Sequence, residues 1–138
     1  MKSLKIIVVF IIAVAVFTCC NTTPTRPDNA MDTGRMFIRA SLDGDFKTAE
    51  MLLLKDTLNM QYFQSYKQFY NKLAADKKEN YKNASYEINS YKDINDSSSL
   101  INYSNSYMNK PLDIRVQKIN NTWLVDFKYT YGGNQPVN

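Results

Sequence analysis

The spacing of apolar residues changes near residue 83, and that change limits the fold more than any other feature of the chain. Between Leu58 and Asn80, the side chains of Tyr62, Phe63, Tyr66, Phe69, Tyr70 and Leu73 fall within an arc of about 120° when wound at the helical period. Gln61, Gln64, Lys67, Gln68, Asn71 and Lys72 fall outside it. This stripe predicts one long amphipathic helix. Beyond Asn83 the period becomes two. Trp123, Val125, Phe127 and Tyr129 alternate with Leu124, Asp126, Lys128 and Thr130, as in a half-buried strand. Four strands are predicted, over Tyr86–Ile94, Leu100–Met108, Leu112–Ile119 and Trp123–Tyr131. Helices followed by an antiparallel meander define an α+β class, with the helices packed on a curved sheet of about four strands. The striped helix is the expected cover of that sheet.

Two shorter helices are predicted ahead of it. The first begins between Asn29 and Thr33 and runs to Leu42, with Met36, Phe37 and Ala40 on one face. Asp43-Gly44-Asp45 ends it, because Gly44 can take positive φ and Asp45 can cap a second helix. That second helix runs from Phe46 to about Lys55, with Phe46, Ala49, Leu52 and Leu53 inward. Asn120-Asn121 predicts a tight hairpin, since Asn tolerates positive φ, and Asp96-Ser97-Ser98 another turn.

The N-terminus reads as an address. Lys2 and Lys5 precede an unbroken apolar run of 12 residues, Ile6 to Phe17. As a helix this run spans roughly 18 Å, short of the hydrocarbon thickness of about 30 Å, and it suits a secretory signal. Phe17-Thr18-Cys19-Cys20 ends the run and resembles the lipobox of bacterial lipoproteins. The resemblance implies that a cysteine thiol is lipidated and the preceding peptide removed. Cys20 is the preferred site, because Cys19 is then the small residue before the cut; Cys19 is the alternative. An ordinary cleaved signal or an uncut signal anchor is the competing reading. The expected organisation is a signal peptide over 1–19, the lipidated cysteine and a Thr/Pro-rich tether over 20–28, one domain over 29–131, and a tail over 132–138. The chain is thus expected to be a lipid-anchored protein of the bacterial envelope. Asn21-Thr22-Thr23 carries no early acidic cluster, which favours a periplasm-facing membrane.

Phe37-Ile38-Arg39-Ala40 with Leu42-Asp43-Gly44-Asp45-Phe46, and Leu112-Asp113-Ile114-Arg115-Val116 through Asn121-Thr122-Trp123-Leu124-Val125-Asp126, resemble short bacterial lipoprotein domains. These have the cone-shaped, cystatin-like fold of nuclear transport factor two. The resemblance covers about Asn29 to Tyr131 and implies a cone whose interior is either open to a ligand or packed by its own tyrosines.

Composition narrows the chemistry. The chain has no histidine, and its two cysteines sit at the anchor, so zinc and Cys–His or Ser–His sites are not expected in the domain. Asp43-Gly44-Asp45 does not start a calcium loop, because Lys47 and Leu54 stand where ligands are needed. No metal and no cofactor are expected. The formal charge of +4 falls to +2 without Lys2 and Lys5, too small to imply a nucleic-acid partner.

What stands out is aromatic content: 10 Tyr, 7 Phe and 1 Trp. Phe37, Tyr66, Tyr103, Trp123 and Phe127 are the expected lining of a pocket for a small apolar or aromatic ligand, or for a peptide of an envelope protein. A non-enzymatic binding or accessory module is therefore expected. The alternative is a cone-fold enzyme pairing a Tyr with a carboxylate. Asp126, Glu87 and Asp113 all alternate opposite to the inward residues, which weighs against it.

Overall fold

The computed structural model describes residues 24–134; the apolar run, Cys19, Cys20 and the start of the tether lie outside the described residues. Three helices begin at side chains that accept from otherwise unpaired N–H groups. Helix α1 spans Ala30–Asp43, and Asn29 accepts from Asp32 N. Helix α2 spans Phe46–Met51, capped by Asp45, which accepts from Thr48 N. Helix α3 spans Thr57–Lys72, capped by Asp56, which accepts from Asn59 N. Gly44 ends α1 at φ 71°, as expected from its sequence. It also makes room for a ring, since a Cβ there would lie 2.7 Å from the Tyr70 hydroxyl.

Two helix predictions are corrected. The second helix stops at Met51, not near Lys55. Leu52 and Leu53 are fully buried. The segment they begin lies parallel to the last strand, with Leu54 N donating to Val125 O (2.9 Å) and Val125 N to Leu52 O (2.8 Å). The long helix breaks at Leu73, whose ψ is 143°, and a separate α4 spans Ala75–Asn83. The break turns α4 back, so that Tyr81 packs against Tyr70 and Tyr107 at ring-centroid distances of 6.0 and 4.4 Å.

Strands β1 (Tyr86–Asn95), β2 (Ser98–Asn105), β3 (Pro111–Ile119) and β4 (Thr122–Asp126) form one antiparallel sheet in the order β1-β2-β3-β4. The register places Ile101 opposite Ile114 and Val116 opposite Val125, four side chains that are all buried. Asn120 and Asn121 take φ of 48° and 61° and close the β3–β4 hairpin, as their sequence predicts. The α+β class is that of the structure.

Helix α1, not the striped α3, lies on the sheet, against β2, β3 and β4. Gly34 permits the approach, because a Cβ there would overlap Ile101 Cδ1. Helix α3 packs on the aromatic side of this layer. Phe63 and Tyr70 of its stripe are buried, and Phe69 keeps 51% of its surface exposed.

The last predicted strand is also corrected. It ends at Asp126, and Phe127–Asn134 forms helix α5. Asp126 and Phe127 are consecutive and both buried, which a strand covered on one face does not allow. Turned as a helix, Phe127, Thr130 and Tyr131 share a face. The helix packs against β3 and α3.

Candidate functional site

The cavity between the helices and the sheet has a volume of about 350 Å³. Helix α1 contributes Phe37 and, one turn on, Ser41 and Leu42. Tyr66 and Phe69 come from α3, and Tyr81 from α4. The sheet side is made by Tyr103 and Asn105 of β2 with Leu112 and Ile114 of β3. Met108 closes the turn between them, and Phe127, Thr130 and Tyr131 of α5 form the remaining wall. The rings are mutually braced, with Phe37–Phe127 at 5.9 Å, Tyr66–Phe127 at 5.8 Å and Phe127–Tyr131 at 5.7 Å. Such tilted pairs fix ring positions beyond what burial alone does.

Four of the five residues expected to line a pocket, namely Phe37, Tyr66, Tyr103 and Phe127, stand around this cavity; Trp123 does not. Trp123 pairs with Lys118 across the β3–β4 ladder, with the ammonium 5.7 Å from its ring. Lys118 is four residues along β3 from Ile114, about 13 Å in a strand, so the tryptophan sits at the hairpin end, remote from the α5 end. The other ten lining residues were not expected there, among them the polar Ser41, Tyr81, Asn105 and Thr130. Ser41 was legible as the i+4 neighbour of Phe37. Tyr81 and Thr130 were not, because one comes after an unpredicted helix break and the other sits in an unpredicted helix.

The polar groups of the lining are neutral. Tyr66 donates to Ser41 O at 3.3 Å, and Thr130 Oγ1 donates to Asp113 O at 2.7 Å. Asn105 Oδ1 accepts from Tyr107 N (3.1 Å) and Met108 N (2.8 Å). Ser41 Oγ is buried without a hydrogen-bond partner among the described residues. Burial pushes the Tyr66 phenol far above its ordinary value, and the neighbouring Tyr103, Tyr81 and Tyr70 push it further. Burial and then Tyr81 do the same to Tyr103. These hydroxyls stay protonated, and no Asp, Glu, Lys or Arg among the described residues lines the cavity to exchange a proton with them.

The carboxylate nearest in sequence is engaged elsewhere. Asp126 is 0% exposed and accepts from both Arg115 Nε (3.0 Å) and Arg115 Nη2, and from Asn59 Nδ2 (3.2 Å). Lys128 Nζ lies 3.0 Å from its other side and 2.8 Å from Asp56. Burial raises the Asp126 pKa, but the hydrogen bonds from Arg115, Lys128 and Asn59 outweigh it and hold it below the usual carboxylate value. Asn59 Oδ1 accepts from Lys128 N at 2.7 Å. The cluster thus ties the start of α3 to the β4–α5 junction. It orients the wall of the cavity and leaves no free base inside. Glu87 is exposed on β1, and Asp113 accepts from Asn102 Nδ2 at 2.6 Å.

Among the described residues no group of three or more His, Cys, Asp or Glu is placed to hold a metal ion, and no helix is long and apolar enough to cross a membrane. At the level of class, the chain is an α+β domain of helices on a four-stranded antiparallel sheet, with an aromatic cavity between the layers. No protein-family model, curated protein or solved structure gives a significant match to it.

Proposed function

We propose that this chain is a lipid-anchored protein of the bacterial envelope, and that its cone-type, nuclear-transport-factor-two-like domain is a non-enzymatic binding module. The cavity would hold a small apolar or aromatic ligand. The observation that carries this reading is an interior space of about 350 Å³ walled by braced aromatic rings with no ionised side chain in its lining. That volume falls within the range of small-molecule sites, and its chemistry suits binding by burial, not proton transfer.

The anchor reading rests on the sequence. Ile6 to Phe17 is too short to span a bilayer and ends at Cys19-Cys20. A single acyl chain binds membranes marginally, whereas two or more hold a protein stably. The tether would keep the domain near the surface, since about eight extended residues reach at most roughly 28 Å. Arg26 within it donates to Met51 O at 3.1 Å, which favours a tether lying along α2.

Two measurements test the reading. Cells fed labelled palmitate should mark the chain, and replacing both Cys19 and Cys20 with Ser should abolish labelling and membrane retention. Native mass spectrometry of the processed protein should detect a small non-covalent adduct. Unlabelled protein sinks the anchor, and a protein that takes up no apolar compound sinks the binding module.

A further inference from the structure

The cavity is apolar over most of its wall, but its unpaired polar groups can all donate a hydrogen bond. Asn105 has its amide oxygen engaged by two backbone N–H groups. The amide nitrogen that remains is a donor without a partner among the described residues. The Tyr103 hydroxyl likewise meets no acceptor among the described residues, although the ring lines the cavity. Ser41 Oγ is buried and unpartnered one turn from Phe37. Of the three, Ser41 Oγ is the one enclosed from solvent, and a buried polar group without a partner costs free energy. Phenols are donors as long as they stay protonated, and Tyr66, Tyr81 and Tyr103 stand close enough to oppose one another's ionisation. No cationic side chain among the described residues lines the space, so a carboxylate entering it would lose its hydration without gaining a counter-ion.

We infer that the cavity selects neutral, largely apolar molecules carrying one hydrogen-bond acceptor, such as a carbonyl oxygen, which receives its hydrogen bond from Tyr103 with Ser41 and Asn105 beside it. This rests on the reading that the cavity holds a small ligand, and specifies the class. At about 30 Å³ per water-sized group, 350 Å³ takes roughly a dozen heavy atoms. A bicyclic aromatic ketone has that size. The aromatic walls supply burial, and the donor end fixes orientation.

Three probes matched in size separate the possibilities: 2-acetylnaphthalene, 2-ethylnaphthalene and 2-naphthoate. Each is dialysed to equilibrium against the full chain in lipid nanodiscs, with empty nanodiscs as the blank. The ketone should bind roughly ten-fold more tightly than the hydrocarbon, the difference expected of one buried hydrogen bond. The carboxylate should bind weakest. Tyr103→Phe should erase the preference for the ketone, and Ser41→Ala should reduce the preference in part. Equal binding of ketone and hydrocarbon, or a preference that survives in Tyr103→Phe, overturns the donor end while leaving an apolar binding cavity. Tightest binding of the carboxylate overturns the selection for neutral molecules. Failure of all three probes to bind overturns both this inference and the binding reading beneath it.

Discussion

The Asp126 carboxylate and the Ser41 hydroxyl are two buried polar groups with opposite standing. Asp126 is fully hydrogen-bonded. Asp126→Asn keeps its shape but removes the charge that Arg115 and Lys128 face, and those two side chains retain 30% and 31% of their surface in water. The expected loss is about 2 kcal/mol, below the roughly 3–5 kcal/mol of a wholly buried pair because solvent screens the two cations; a shift of the urea midpoint with unchanged slope checks it. Ser41 stands the other way. Its Oγ is buried without a partner among the described residues, so Ser41→Ala should stabilise the ligand-free protein by about 1 kcal/mol. The same measurement decides it, and a destabilised variant would show that the hydroxyl has a partner. Asp126 also shows how a residue can defeat parity. Its alternation with Val125 predicts an outward side chain, but the chain turns helical at the next residue and the carboxylate is enclosed.

Element ends obey local chemistry more faithfully than element lengths do. Asn29, Asp45, Asp56 and Gly44 all act where short polar or glycine residues interrupt apolar runs. The break at Leu73 has no such marker. Leu73 and Ala74 are both compatible with a continuing helix, and only the packing of Tyr81 on Tyr70 and Tyr107 favours the turn. The consequence is a defect, since the N-cap residue of α4 is Ala74, which supplies no side-chain cap. Ala74 is exposed and already extended, with φ −61° and ψ 157°. Ala74→Ser should therefore stabilise the protein by about 0.5–1 kcal/mol, seen as a rise in midpoint in thermal or urea unfolding. No gain would mean that α3 continues through this position. The β4–α5 switch is equally silent in the sequence, because Phe, Tyr and Thr favour strands and their period fits one. Asn59 tips it, holding the Lys128 N–H and the Asp126 carboxylate from α3, 67 residues away from the latter.

For the molecule as a whole, the ionisable groups predict a stability plateau with two edges. Asp56 has its pKa held down to about 2, first by the Asn59 backbone N–H and then by Lys128. Asp126 is also held below the usual carboxylate value, while an unfolded aspartate titrates at about 3.9. As pH falls through the interval from about 4 towards 2, the unfolded chain takes up protons first, so stability is present above the interval and lost within it. At the other edge, Tyr66, Tyr81 and Tyr103 are raised by burial above the unfolded value of about 10. Above pH 10 the unfolded chain loses protons first, and stability falls as pH rises. Urea midpoints between pH 2 and 12 should be flat in the middle and decline at both ends. A midpoint unchanged at pH 11 would place these phenols in water.

Local patterns in the chain were enough for the class of the fold and for the ends of most of its parts. The change of hydrophobic period divides helices from strands, Asp, Asn and Gly residues mark caps and the hairpin, and the aromatic residues supply most of the cavity wall. These are properties of neighbouring residues, set by backbone geometry that acts over one turn or one pleat. Long-range packing chose which helix covers the sheet, where α3 breaks, and that the chain after Asp126 winds up and not out. Each of those choices depends on contacts between distant segments, Gly34 with Ile101, Tyr81 with Tyr107 and Asn59 with Lys128, whose energies no local pattern encodes.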